Sequence, residues 1–356
     1  IKRNYCVKAT LKDLSERVGI AKSSISMYLN GDPRTRLSAE SRRAIDEAVR
    51  ELDYRPSLAA AALRRGRSRL IGLVLGEITD EYFSRFAEAC LSMIEARGYQ
   101  LLMTLTSWNA EKERRCLKTL IERQVDGIIF TPALNETALE QDGIISCQVP
   151  LIRLDGGKTK FSSVDTRMDE AFEQALKELK LRSGEAAVSC GFFSASTQLA
   201  PFRAACVRNG TVMHLLPEVE KELTERSPMF DRILAERPRA LFLASSSMTK
   251  LLLRKIDRCC PEYRPAIVTV YHFPMDYLDD ERVVGVVFGD FYRMAELVVN
   301  TLITQIEQRE KRSRKEEVQC PFFTREEFTA IRDSLIDTVR KYEQLHQEKA
   351  IADEKI

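Results

Sequence analysis

Thr10-Leu11-Lys12-Asp13-Leu14-Ser15-Glu16-Arg17-Val18-Gly19-Ile20-Ala21-Lys22-Ser23-Ser24-Ile25-Ser26-Met27-Tyr28-Leu29-Asn30 is the stretch on which the reading of this chain turns. Thr10, followed three residues later by Asp13, is a capping-box-like start. Leu11, Leu14 and Val18 recur at gaps of three and four, which marks one buried face of a helix ending at Gly19. After the tight turn Gly19-Ile20-Ala21, a second short helix is predicted from Lys22 to about Leu29, with Ile25 and Leu29 facing inward. The opposite face then carries Ser23, Ser26, Met27 and Asn30, and Lys22 projects from the N-terminus. Small polar, flexible and basic side chains of this kind can approach base edges and phosphates. A third helix, N-capped by Ser38 and running through Leu52, turns Ile45, Ala48, Val49 and Leu52 inward. Three helices with a glycine turn between the first two form a helix-turn-helix, whose second helix enters a DNA major groove.

The charge distribution agrees. Residues 1–69 hold sixteen Lys and Arg against eight Asp and Glu, a net +8, whereas the rest of the chain carries −6. One end is built to meet polyanions. The 356 residues suit two or three domains, because single cores stop growing near ~250–300 residues. A composition 44% apolar and 30% charged belongs to a globular chain. Apolar runs such as Leu70–Leu75 fall far short of the ~20 residues that span a bilayer, and the N-terminus lacks an apolar signal core. A cytoplasmic protein without a membrane partner is expected. Nine cysteines without a C-x-x-C pair argue against a disulfide framework or a zinc ribbon and read as reduced thiols. The three histidines lie far apart, so neither a metal site nor a His-centred triad is expected. There is no Gly-rich phosphate loop, no G-x-S-x-G elbow and no HExxH, which argues against an enzyme and implies no cofactor.

Beyond Pro56, the segment Ser57-Leu58-Ala59-Ala60-Ala61-Ala62-Leu63-Arg64-Arg65-Gly66-Arg67-Ser68-Arg69 joins strong helix formers to arginines. A helix this short is marginal alone in water and needs a packing partner. Its alanines allow close approach of another helix, Leu63 is its lone large apolar side chain near the C-terminal end, and arginines suit a narrow minor groove. A flexible basic linker is the alternative. Apolar runs then predict strands beginning near Leu70, Gln100, Asp126, Pro150 and Ser162 with helices between them. A second series begins near Ala186, Ala240, Ala266 and Val283, with helices near Phe202, Met248 and Phe291. This alternation implies two doubly wound parallel-sheet lobes, whose default ligand site is the crevice beyond the carboxyl ends of the strands. Arg314 to Glu317 reads as a charged spacer and Val318 to Phe323 as a last strand. Phe328, Ile331, Leu335, Val339 and Tyr342 form a heptad-like stripe, which suits either packing on the chain's own lobe or an added oligomerisation helix.

The run from Ala9 to Ser15, with Val18-Gly19-Ile20-Ala21, Ser24-Ile25-Ser26, Leu29-Asn30, Leu37-Ser38, Arg42, Ile45 and Leu52-Asp53-Tyr54-Arg55-Pro56, closely resembles the DNA-binding head of the lactose-repressor (LacI/GalR) family of bacterial transcription regulators. A fainter resemblance to that family's periplasmic-binding-protein-like effector core extends to about Arg309; Val125 to Ile129 and Leu154-Asp155 are its better-matching pieces. The resemblance implies an all-α helix-turn-helix head at 1–56, a hinge helix at 57–69, an N-terminal lobe at 70–164 plus 290–324, a C-terminal lobe at 165–289 and an amphipathic helix at 325–356. It implies base reading by Lys22, Ser23 and Met27, and phosphate contact or bracing by Thr10, Ser24, Ser26, Asn30 and Tyr54. In the hinge, Ala60, Leu63, Arg64 and Arg65 would enter the minor groove, Leu63 as an apolar wedge. The implied partners are a double-stranded pseudo-palindromic operator and a second copy of the chain, with a tetramer through 325–356 as the oligomerisation reading.

Two departures accompany the resemblance. Ala21 stands where the family usually places a Ser that caps the recognition helix, a loss of about 1 kcal/mol. In the core, family members grip an effector with charged residues, and the matching positions here are Gln198, Ser245 with Ser246, and His272. Every charge is gone. Aromatic residues remain, with Tyr82 and Phe83 where relatives stack a ring, and Trp108 after the second strand. The cleft recognises an apolar or neutral ligand, or the chain is an effector-independent, DNA-bending regulator with a degenerate cleft; a conventional sugar effector is the third alternative.

Overall fold

The computed structural model describes residues 9–331 apart from 30, 55–65, 80, 133–135, 142, 145–147, 156–158, 193–196, 220–222, 272–278 and 310–311. The chain divides into two compact units, Ile1–Ser68 and Arg69–Ile356.

The first unit is the three-helix head. Helix α1 (Leu11–Val18) opens with the capping box: the Thr10 hydroxyl accepts from the Lys12 and Asp13 amides, and the Asp13 carboxylate accepts from the Thr10 N–H at 2.7 Å. It closes at Gly19, whose φ of 70° is the left-handed cap that a side chain would strain. The Ser15 hydroxyl then donates to the Ile20 carbonyl at 2.7 Å and fastens the turn. Leu14, Ile25 and Ile45, one from each helix, are fully buried, each contributing roughly 1.5–3 kcal/mol of apolar burial. Leu11, Val18, Leu29, Val49 and Leu52 pack around them partly buried. Helix α2 (Lys22–Leu29) and helix α3 (Ala39–Glu51, capped by Ser38) thus turn the expected apolar residues inward, but Ser26, expected on the outer face of α2, is buried too, beside Ile25.

The second unit holds two six-stranded sheets. In the first, β1 (Leu70–Leu75) lies between β2 (Gln100–Leu105) and β3 (Gly127–Phe130), followed by β4 (Leu151–Leu154), β5 (Ser162–Arg167) and β11 (Lys315–Gln319), all parallel. Ile71, Leu73 and Leu75 face the layer formed by α4 (Glu81–Glu95) and α11 (Phe291–Gln308). Val74 faces the other layer, with α5 (Ala110–Glu122) and α6 (Glu136–Gln141). A strand covered on both faces is apolar throughout, which is why it stood out in the sequence.

The second sheet runs β7 (Val212–Leu215), β6 (Ala187–Gly191), β8 (Ala240–Leu243), β9 (Ala266–Tyr271), β10 (Val283–Phe288) and β12 (Phe322–Thr324), with β12 antiparallel to β10. One face is covered by α7 (Asp169–Ser183) and α8 (Leu199–Arg208), around stacked Phe202 and Phe242 with centroids 4.1 Å apart. The other face is covered by α9 (Pro228–Glu236) and α10 (Ser246–Cys259).

The end of the core corrects the sequence reading. Val318 to Phe323 is not one strand, and 290–324 does not belong wholly to the first lobe: β11 joins the first sheet and β12 the second. Cys320-Pro321 is the break, where the Pro321 ring removes an amide while its carbonyl accepts from Phe288 N–H at 2.8 Å. The supposed charged spacer is mostly the edge strand β11, whose Lys315, Glu316 and Glu317 suit an uncovered sheet edge. Strand β7 and helix α9 had no counterpart in the sequence reading. A last helix starts at 325, and its Phe328, 3% exposed, packs against Phe288 and Phe323 at 6.2 Å each. Leu335, Val339 and Tyr342 lie outside the described residues.

Gly127 shows how closely a helix approaches a sheet. A methyl group there would lie 2.7 Å from Leu302 Cδ1 and 3.1 Å from Leu302 Cγ on α11. Gly127→Ala should therefore lower stability by about 1–3 kcal/mol through overpacking, read as a reduced urea midpoint with an unchanged slope.

Candidate nucleic-acid interface and effector cleft

In α2 the buried positions decide what remains free. Ile25 is fully buried and Ser26 is 8% exposed, so Lys22 and Ser23 project into solvent and Met27 is half-buried. Thr10 is exposed but its hydroxyl donates to Asp13 at 2.8 Å, and Ser24 is half-buried. Tyr54, 8% exposed, belongs to the head's core. Of the residues assigned to phosphate contact or bracing, Ser26 and Tyr54 therefore sit on the bracing side. Asn30 and the hinge residues Ala60, Leu63, Arg64 and Arg65 lie outside the described residues.

One brace was missed in the sequence. Tyr28 on α2 donates its hydroxyl to the Asp46 carboxylate on α3 at 3.0 Å, and the Arg42 guanidinium lies over its ring at 5.9 Å. The hydrogen bond to Asp46 raises the Tyr28 phenol above its ordinary range. The available signal was a bulky aromatic placed between reading positions, where only a neighbouring helix could hold its polar tip. Arg17 and Glu51, paired at 2.9 Å, tie α1 to the end of α3. Helix α2 gains no side-chain cap from Ala21, whose carbonyl accepts from Ile25 N–H at 3.1 Å as the first helical bond.

In the core, strand order locates the crevice. The first sheet reverses direction of growth between β1 and β3, and the second between β6 and β8. Doubly wound sheets bind ligands at such switch points. At the first, the Gly76 amide donates to the Thr131 hydroxyl at 2.9 Å, and the Trp108 ring lies against Gly76 so closely that a methyl group there would sit 2.3 Å from it. Ser107 and Trp108 both hold left-handed backbone, φ 53° and 54°, to turn the indole back over β1. Phe83 meets Trp108 edge-on at 5.5 Å and Tyr82 meets Phe83 at 5.2 Å. The three aromatic residues expected in the cleft thus form one cluster.

At the second switch point Ala244 N–H donates to Gly191 O at 3.0 Å, and the chain turns into α10. The Ser245 hydroxyl accepts from the Ser247 and Met248 amides at 3.1 and 3.4 Å, so it serves as the N-cap. Ser246 is 2% exposed. Gln198 occupies the N-cap position of α8, half-buried and without a side-chain capping bond. His272 lies outside the described residues. Beside the crevice, Asp155 holds left-handed backbone, φ 47°, and accepts from the Thr166 amide and hydroxyl at 2.7 and 2.8 Å. Burial pushes its carboxyl above the usual carboxylate range, against the lowering effect of those two bonds.

A three-helix head with Lys22 and Ser23 exposed on its second helix, carried in one chain with a two-lobed α/β core, has the architecture of a helix-turn-helix protein with an appended α/β core. No protein-family model matches the chain. It is 35% identical over 149 residues to the sucrose operon repressor of Klebsiella pneumoniae, covering 42% of this chain and 44% of that protein. It is 26% identical over 256 residues to the HTH-type transcriptional regulator PtxS of Pseudomonas plecoglossicida, covering 70% of this chain and 74% of that one. Among solved structures, the lac repressor dimer bound to operator and the anti-inducer ONPF superposes with a TM-score of 0.72 at 18% identity, covering 89% of this chain and 98% of that chain. The chain is thus related, in sequence and in fold, to the lactose-repressor (LacI) family. Among the described residues no helix is long and apolar enough to cross a membrane.

Trp108 is the chain's single tryptophan, so its surroundings can be read by fluorescence. Gly76→Ala should displace the indole, shifting its emission to the red and costing about 1–3 kcal/mol of stability. Asp155 gives a pH test. A carboxyl whose folded pKa is raised contributes stability that is full below its unfolded pKa and is lost as pH rises through the folded one. Asp155→Asn, which keeps an acceptor for Thr166, should therefore melt higher than the parent at pH 7 and lose that advantage as pH falls below ~4.

Proposed function

We propose that this chain is a cytoplasmic, sequence-specific DNA-binding transcription regulator, a repressor rather than an enzyme, that binds a pseudo-palindromic operator as a homodimer. The observation that carries the reading is α2 itself, clamped by Ile25 and Tyr28 so that Lys22 and Ser23 face outward from a segment of net +8. Lys22, Ser23 and Met27 read bases. Thr10, Ser24 and Asn30 serve phosphates, while Ser26 and Tyr54 brace the head. The hinge at 57–69 places Ala60, Leu63, Arg64 and Arg65 in the minor groove. One recognition helix reads too few base pairs for specificity, and two heads double the site. Leu91 on α4 and Met103 on β2, the outermost described strand of the first sheet, are 39% and 44% exposed and offer apolar surface to a second copy. Packing of Phe328 on its own lobe supports a structural role for the start of segment 325–356 beside the tetramerising one.

The core serves as a sensor for a neutral or apolar ligand lodged against the Tyr82, Phe83 and Trp108 cluster, with Gln198, Ser246 and His272 replacing charged grips. One observation favours the rival, an effector-independent DNA-bending regulator. The Ser245 hydroxyl is committed to capping α10 and Ser246 is nearly closed to solvent, which leaves little to hold a polar ligand.

Selection of duplexes from random sequence at ~150 mM salt should recover a two-fold-related site, and affinity no better than for random DNA would refute the reading. Exchanges at Lys22 and Ser23 should alter the selected sequence, by about 1–3 kcal/mol per lost base contact. Leu63→Ala should instead reduce bending at an unchanged outer site. For the core, titration of neutral metabolites against Trp108 emission separates the two readings. A saturable change with altered DNA affinity supports the sensor, and none across a broad panel supports the effector-independent form.

A further inference from the structure

Cys259 is the last residue of α10 and Cys260 is its C-cap, with φ −149° and ψ 61°. Cys259 is exposed and Cys260 half-buried, whereas Cys90, Cys190, Cys206 and Cys320 are buried in the lobes. The Cys260 thiol is met by a guanidinium group: Arg237 Nη2 donates to Cys260 Sγ at 3.5 Å while pairing with Glu262 at 2.9 Å. Arg258, the residue before Cys259, pairs with Glu225. The following turn is fixed: Tyr263 N–H donates to Cys260 O at 2.9 Å and its hydroxyl donates to Pro238 O at 2.5 Å. Two cysteines adjacent in the chain, one exposed and one half-buried, thus close a braced helix end.

The surroundings select what such a pair can take. A closed zinc site needs four ligands, and among the described residues no group of three His, Cys, Asp or Glu could hold a metal ion. The Arg237 guanidinium on Cys260 further disfavours a divalent cation. A disulfide within the pair is disfavoured too, because neighbouring Cα atoms are only ~3.8 Å apart, short of the ~4.4 Å at which unstrained bridges begin. A soft atom bridging the two sulfurs enlarges that ring by one member and carries no charge to oppose Arg237. We infer that Cys259 and Cys260 form a dithiol site for a neutral trivalent arsenical or its antimony counterpart. With an organoarsenic oxide, R–As=O and two thiols give R–As(S–Cys)2 and water. Two As–S bonds form, the As–O bonds break, both thiol protons leave on the oxide oxygen, and arsenic stays trivalent.

The test uses the reduced full-length protein with phenylarsine oxide, followed by intact-mass analysis. One phenylarsenic group per chain should add, survive excess monothiol and come off with 2,3-dimercaptopropanol. Cys259→Ser and Cys260→Ser should each abolish the monothiol-resistant adduct while melting like the parent, and Cys116→Ser should retain it. Failure of the parent to take the group would overturn the assignment. So would an adduct that persists in both serine variants, or stoichiometric zinc retained by the parent and lost in them.

Discussion

The two-lobed core depends on three chain crossings that lie side by side and hydrogen-bond to one another. The chain passes from β5 to α7, from β10 to α11, and from β11 to β12. Cys320 N–H donates to Arg167 O at 2.9 Å and Phe288 N–H to Pro321 O at 2.8 Å, so the third crossing is pinned to the first and to the second. Asp155 binds Thr166 just ahead of the first crossing. Each lobe can complete its sheet only because these segments share their backbone groups, since a buried amide without a partner would cost what a hydrogen bond gains. The carboxyl of Asp155, raised by burial, thus lies next to the first crossing.

The same economy operates at the start of α10. A helix that follows a strand needs its first amides satisfied. At α10 the Ser245 hydroxyl supplies that cap. A carboxylate or amide reaching toward a ligand from the same turn would have to divide its acceptors between ligand and helix. Ser245 therefore stabilises the start of α10 through its hydroxyl and carries no charge to offer a polar ligand. On the first lobe, Trp108 fills the space above Gly76 and turns the switch point into an aromatic surface.

Legibility in the sequence followed burial. Strands covered on both faces, such as Leu70–Leu75 and Val283–Phe288, announced themselves as continuous apolar runs. The head was legible for a second reason, because its caps at Thr10, Gly19 and Ser38 are side-chain and backbone chemistry confined to a few residues. Strand β7 was hidden because it is a sheet edge, with Val212 and His214 exposed and only four residues in all. Strand β11 was hidden by its charges, which belong to an edge that only its partner β5 reveals. Nothing local separates β11 from β12; the division depends on which sheet has an open edge at each end of Cys320-Pro321. In the cleft, the aromatic residues were visible, but the capping duty of Ser245 appears only when the helix start is fixed.

Within the head, reading and bracing are divided along a single helix of eight residues. Ile25 and Ser26 are consumed by packing, and Tyr28 is consumed by Asp46 and Arg42, so that helix three fixes the rotation of helix two about its axis. That rotation alone determines that Lys22 and Ser23 face outward. Because Ala21 offers no hydroxyl, the first amides of α2 keep no side-chain acceptor from that position. Helix N-termini carry partial positive charge and free amides suited to anions. At this end the Ser24 amide bonds to the Ala21 carbonyl at 3.0 Å, so the turn closes on backbone alone with Lys22 exposed beside it.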